Sequence, residues 1–131
     1  PLIIGEKFSL QGLTVIEQYT RAHHVEDIIA ARNVIEERHK KYLPFFDSFK
    51  QECSFHFCNM FILEKKFFNS YCEWLFDILF ELLRRVDITN YSKYNARVFG
   101  FIAERLFNVR ILANNVNYVE RPVIFMEEFN F

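Results

Sequence analysis

Apolar and polar side chains repeat with a helical period from Lys65 to Val86. At about 100° per residue, Asn69, Glu73, Asp77, Glu81 and Arg84 share one polar wedge, joined by the apolar Phe80. Phe67, Tyr71, Trp74, Ile78 and Leu82 lead an apolar arc of roughly 200°, twice the stripe of an ordinary surface helix. This predicts a long helix packed on more than one side, with Trp74 buried. Carboxylates at every fourth position, Glu73, Asp77 and Glu81, exclude a membrane span.

The same reading places the other elements. Residues 1–13 form an extended entry with turns at Gly5 and Gly12. Thr14-Val15-Ile16-Glu17 matches the S/T-x-x-E capping box, so a helix begins at Val15, with a bend near His23-His24. A second helical run from Val25 carries Val25, Ile28, Ala31 and Ile35 on one stripe, and Pro44 ends it or opens a short helix. The Phe-rich segment after it predicts a buried central strand over Cys58 to Leu63. Ser92 caps a last long helix through Ala113, with Tyr94, Val98, Phe101, Ile102, Leu106 and Val109 inward. A final edge strand is expected within "ERPVIFMEE", at an edge because Pro122 lacks the amide hydrogen of an inner strand. The fold class is α+β, predominantly helical, and residues 1–131 read as one unit with no repeat or linker.

Composition adds three points. Seventeen phenylalanines in 131 residues mean a core of large flat side chains, or aromatic surface that self-association would cover. A net charge of −1 leaves no electrostatic footprint for nucleic acid. The three cysteines, Cys53, Cys58 and Cys72, are an odd set and favour a reducing cytoplasm over a disulfide scaffold. Cys53, His56 and Cys58 lie close together but lack the paired spacing of structural zinc, so no metal is expected here. The chain starts at Pro1 without a signal peptide, as an internal fragment would.

No Gly-rich phosphate loop, G-x-S-x-G, H-E-x-x-H or D-x-D occurs. Tyr19, His23 and Asp27 are spaced i, i+4, i+8; on one helix side, Asp27 would orient His23 as a general base or a ligand for sugar or phosphate. The same spacing also describes a plain solvated face, and a break at His24 would destroy the alignment. On the last helix Lys93, Arg97, Glu104 and Asn108 fall within about 60° of one another. Arg105 projects among Phe101, Ile102 and Val109, where a guanidinium needs a buried carboxylate or a ligand phosphate. Asn59 can present both donor and acceptor to sugar hydroxyls, or simply form a turn.

Three segments, "VIEQYTRAHHVEDI", "CNMFILEKKFFNSYCEWLFDIL" and "NARVFGFIAERLFNV", resemble the C-terminal half of a bacterial family of capsular and exopolysaccharide biosynthesis proteins. That family is a domain of unknown function grouped with GT-A glycosyltransferases, and the resemblance runs over about residues 13 to 113. It implies the C-terminal portion of a transferase that takes a nucleotide sugar as donor and a glycan or lipid-linked acceptor. It places that enzyme in the cytoplasm, free or peripheral at the inner face of the membrane. The nucleotide site and any Mn or Mg ion would belong to the first half, which this chain lacks, so the fragment alone should be inactive. On this resemblance the expected catalytic residues are Glu104, His23 and Asp27, and the expected substrate-binding residues are Asn59, Arg97, Arg105 and Tyr19. The competing class is a non-catalytic helical interaction module with an aromatic docking surface.

Overall fold

The computed structural model describes residues 2–126. Its main sheet is built on the segment read from sequence as an extended entry. In β1 (Leu2–Gly5), Leu2 and Ile4 point into the core and Ile3 points out, the period-two alternation of a half-buried strand. β1 is the central strand. It runs antiparallel to β4 (Phe61–Ile62) and parallel to β5 (Tyr118–Arg121), giving the order β4-β1-β5. A separate antiparallel pair joins β2 (Phe8–Ser9) to β3 (Ser54–Phe55). Gly5 ends β1 in a tight spot, since a Cβ there would stand 2.6 Å from Val123 Cγ2 and force it to shift.

Both strands expected from sequence are therefore displaced. Cys58 and Asn59 adopt φ of 74° and 47°, a left-handed turn that Asn tolerates well, and the expected central strand shrinks to two residues at the sheet edge. β5 does lie on an edge, but it ends before Pro122 rather than running through it. The last two residues of "ERPVIFMEE" lie outside the described residues.

The helices follow the sequence signals closely. Helix α1 (Val15–Ala22) starts where Thr14 Oγ1 accepts the Glu17 amide at 3.2 Å, and that hydroxyl donates in turn to the Glu17 carboxylate at 3.1 Å. The chain turns extended at His23 and restarts as α2 (Val25–Arg38), where Ile28, Ala31, Val34 and Ile35 are buried. A 3-10 turn at Lys40–Tyr42 leads into α3 (Leu43–Lys50), with Pro44 in its first turn. Helix α4 (Lys65–Arg85) buries Tyr71, Trp74, Leu75, Ile78 and Leu82, and Trp74 is 5% exposed. Its outer side carries Phe68, Phe76, Phe80 and Leu83, a largely aromatic surface stripe. No helix among the described residues is long and apolar enough to cross a membrane.

The last helix, α5 (Val98–Ala113), starts later than expected: Ser92 Oγ accepts the Asn95 amide at 3.1 Å ahead of a 3-10 turn at Asn95–Arg97, and Arg97 at the N-cap of α5 makes no side-chain cap hydrogen bond. It ends at Ala113 as expected, but Tyr94 is exposed rather than inward because it precedes the helix. Every residue of α5 from Arg105 to Ile111 is buried. Helices α1 to α4 and the two sheets surround it, so the core of the molecule is the jacket of this one helix.

The Thr14 cap provides a direct test of the α1 assignment. Thr14→Ala is expected to cost about 1 kcal/mol, seen as a lower urea midpoint with an unchanged m-value. An unaltered midpoint would show that the Val15 amide, which donates to the Glu52 carbonyl at 2.8 Å, holds the helix start without the cap.

Candidate functional site

Part of the expected site gathers around Phe101, one turn into α5. His23 stacks on its ring with centroids 4.0 Å apart, while Tyr19 and Tyr94 flank the imidazole at 4.8 and 5.6 Å. Arg97 places its guanidinium 5.6 Å from the other side of the Phe101 ring. Glu104 lies beside them on α5, half-buried. Loss of water pushes its carboxyl pKa upward, and the Arg105 and Arg97 charges partly offset that. Burial raises the pKa of the Cys58 thiol in the nearby turn, and the charge of the same carboxylate adds to that.

His23 and Asp27 do not form the expected oriented pair. The helix breaks between them, since Ala22 ends α1 and Val25 starts α2. Asn95 orients the imidazole instead: His23 Nδ1 donates to Asn95 Oδ1 at 3.1 Å, which leaves Nε2 as the acceptor. Asp27 is 3% exposed, and both of its oxygens accept from the Tyr91 hydroxyl, at 2.7 and 2.9 Å. Burial raises the Asp27 pKa, and Tyr91 is pushed up to about 12, by burial first and then by this bond.

Arg105 reaches neither a carboxylate nor the surface. It is 2% exposed, donates to the Phe101 carbonyl at 2.8 Å and to Gln18 Oε1 at 2.7 Å, and lies over the rings of Tyr19 and Phe55. Tyr19 is fully buried beneath it, so these two shape the site from below. Arg97 is the arginine whose side chain meets solvent. Asn59 stands apart, exposed in the edge groove it shares with Ile3, Met60 and Arg121.

A second constellation was not expected from sequence. His56, noticed there only as a partner for cysteines, is 7% exposed, and its Nε2 donates to Glu120 Oε1 at 2.9 Å. Asn108 grips its backbone from α5, accepting the His56 amide on Oδ1 at 2.8 Å and donating to its carbonyl through Nδ2 at 2.8 Å. Asn108 showed in the sequence as one polar residue on a helix face. Its partner lies 52 residues away, and no local pattern reports such a pairing. Cys53 is exposed. Among the described residues, no group of three or more His, Cys, Asp or Glu side chains is placed to hold a metal ion.

Burial lowers the pKa of both His23 and His56 from the ordinary 6.5, with Asn95 and Glu120 opposing the shift. Below 6.5 the unfolded chain therefore binds more protons than the folded one, and stability falls as pH falls. The urea midpoint should drop as the pH is lowered from neutral through 6.5, and His23→Gln should remove part of that slope. A midpoint flat across this range would mean that neither imidazole is shielded.

The chain matches a solved structure of the apo bifunctional glycosyltransferase WbbM with a TM-score of 0.87 and 30% sequence identity. The match covers 91% of this chain and 22% of that one, so the chain spans under a quarter of its structural relative. No curated protein matches. Residues 1–115 match the model of a domain of unknown function, DUF4422, and the chain belongs to that glycosyltransferase-related family.

Proposed function

We propose that this chain is part of a sugar-nucleotide-dependent glycosyltransferase of capsular, exopolysaccharide or lipopolysaccharide biosynthesis, and that it forms the acceptor side of the transfer cleft. The observation that carries this reading is the likeness to WbbM, in which 91% of the chain follows a glycosyltransferase structure at 30% identity. The chain is read as the C-terminal portion of a GT-A-like domain working in the cytoplasm. On this reading the nucleotide sugar and any Mn or Mg ion belong to the rest of the full-length protein.

The chemistry then falls to the Phe101 cluster. Transfer requires the acceptor hydroxyl to lose its proton as its oxygen attacks the anomeric carbon, while the bond from that carbon to the nucleoside diphosphate breaks. Glu104 is the proposed base. Its half-buried position raises its pKa toward the working pH, which strengthens it as a proton acceptor. His23 is the second candidate, with Nε2 free to accept because Asn95 holds Nδ1. The exposed Arg97 guanidinium is suited to offset charge growing on the leaving diphosphate. Arg105, Tyr19 and Asp27 position these groups from beneath, and Asn59 borders the cleft from the sheet edge.

Kinetics of the full-length protein test the assignment. Glu104→Gln keeps the shape and removes the charge, so turnover should fall by roughly 10²-fold or more with the fold intact. The residual rate should lose the rise with pH that the wild type shows through the raised Glu104 pKa. If Glu104→Gln and His23→Ala both turn over like the wild type, this cluster is not the base.

A further inference from the structure

A cavity of about 260 Å³ opens between β3, β5 and the C-terminal half of α5, and the transfer step described above does not use it. Phe49, Ile111 and Val116 give it an apolar floor. Lys7, Glu52, Ser54, His56, Asn115 and Tyr118 give it a polar wall. The wall is fixed before any ligand arrives. Asn108 clamps the His56 backbone, Glu120 holds Nε2, and the imidazole meets the Tyr118 ring edge-on with centroids 5.0 Å apart.

The chemistry of the lining selects among ligands. Lys7 and Glu52 supply one charge of each sign in the lining, and Glu120, outside it, adds a second negative charge through its bond to an imidazole that burial keeps neutral. A phosphate or carboxylate would gain little there. The volume lies below the roughly 300–1,000 Å³ of drug-sized sites, which leaves room for one ring rather than a nucleotide. An apolar floor under a wall of mixed donors and acceptors matches the two sides of a pyranose, its C–H face and its hydroxyl rim. The Tyr118 ring, 37% exposed at the mouth, adds a surface for the C–H face.

We propose that this cavity is a sugar subsite that takes one neutral monosaccharide unit of the acceptor glycan, next to the transfer cleft. The proposal rests on the transferase reading for the class of ligand. Asn108 links the two regions, because its Nδ2 also donates to the Glu104 carbonyl at 2.9 Å, one turn back on α5. Asn108 at the cavity and Glu104 are therefore one helical turn apart along α5.

Saturation-transfer NMR on the full-length protein tests it, with neutral methyl glycosides of the common hexoses and inorganic phosphate as probes at millimolar concentration. At least one glycoside should receive saturation, and Tyr118→Ala and Glu120→Gln should each weaken its binding about tenfold with circular dichroism unchanged. Both positions are surface-accessible, so the variants are expected to fold. Glu104→Gln should leave glycoside binding as it is. The proposal is overturned if no glycoside binds, if binding is equal in all variants, or if phosphate binds and Lys7→Met removes it. The two readings fail separately. Tyr118-dependent binding with normal Glu104→Gln turnover sinks only the base assignment, and lost turnover without such binding sinks only the subsite.

Discussion

Two guanidinium groups inside the core set the terms on which the rest of this molecule packs. Arg105 and Arg110 are five residues apart on α5 and so point about 140° apart, into opposite parts of the interior. Each is buried, and the hydrogen bonds that each makes run from its Nη atoms to neutral oxygens, while the buried Nε of each has no hydrogen-bond partner. Arg105 uses the Phe101 carbonyl and Gln18, and Arg110 uses the Tyr42 hydroxyl at 2.8 Å and Ser70 Oγ at 2.6 Å. A buried charge without such partners is very costly, and aromatic faces are the other neutral groups that attract a cation. Tyr19 and Phe55 take that place for Arg105; Tyr42, Phe67 and Trp74 take it for Arg110. Those rings come from α1, β3, the turn before α3, and α4. The same five side chains that solvate the charges therefore fasten four separate elements to α5.

This arrangement explains where the candidate chemistry lies. The first turns of α5 emerge from the Arg105 nest, so Glu104 projects from a helix whose next residue is locked in the core. A carboxylate on such a support keeps its position when water is excluded, and exclusion is what raises its pKa. His23 is held similarly, stacked on Phe101 and hydrogen-bonded to Asn95, although it belongs to a break between two helices. An imidazole at a helix break is ordinarily mobile. Here the ring contacts replace the backbone hydrogen bonds that the break forgoes.

Local signals in the sequence were reliable, and distant ones were not. The Thr14 cap, the Pro44 helix start and the end at Ala113 each depend on residues within one turn, and all are found where the pattern puts them, whereas Ser92 binds the Asn95 amide ahead of a 3-10 turn and the helix it was expected to cap starts only at Val98. The central strand was misplaced because β1 draws its rank from pairing with Phe61–Ile62 and Tyr118–Arg121, far along the chain, while the Phe-rich run that looks central turns left-handed at Cys58 and Asn59. Arg105 stood out as a guanidinium in an apolar sector, yet its compensation is by ring faces rather than by a carboxylate. Periodicity counts every aromatic as apolar and cannot distinguish a ring that packs from one that holds a charge. His56 was hidden for a related reason, since its meaning comes from Asn108 and Glu120 and not from its neighbours in sequence.

Asn108 shows how the two halves of the proposed site are kept in register. Its single amide makes three hydrogen bonds: two to the His56 backbone and one to the Glu104 carbonyl. A side-chain amide offers two donors and one acceptor oxygen, so nearly all its capacity is spent on fixing the loop that carries His56 against the helix that carries Glu104. The backbone of that loop is buried there, and without Asn108 its amide and carbonyl would have neither a strand nor water as a partner. The cavity wall and the proposed base therefore share one rigid support. A glycan chain seated at both would be read by the fixed spacing between them, and acceptor choice would become a property of the α5 backbone as much as of the residues that touch sugar.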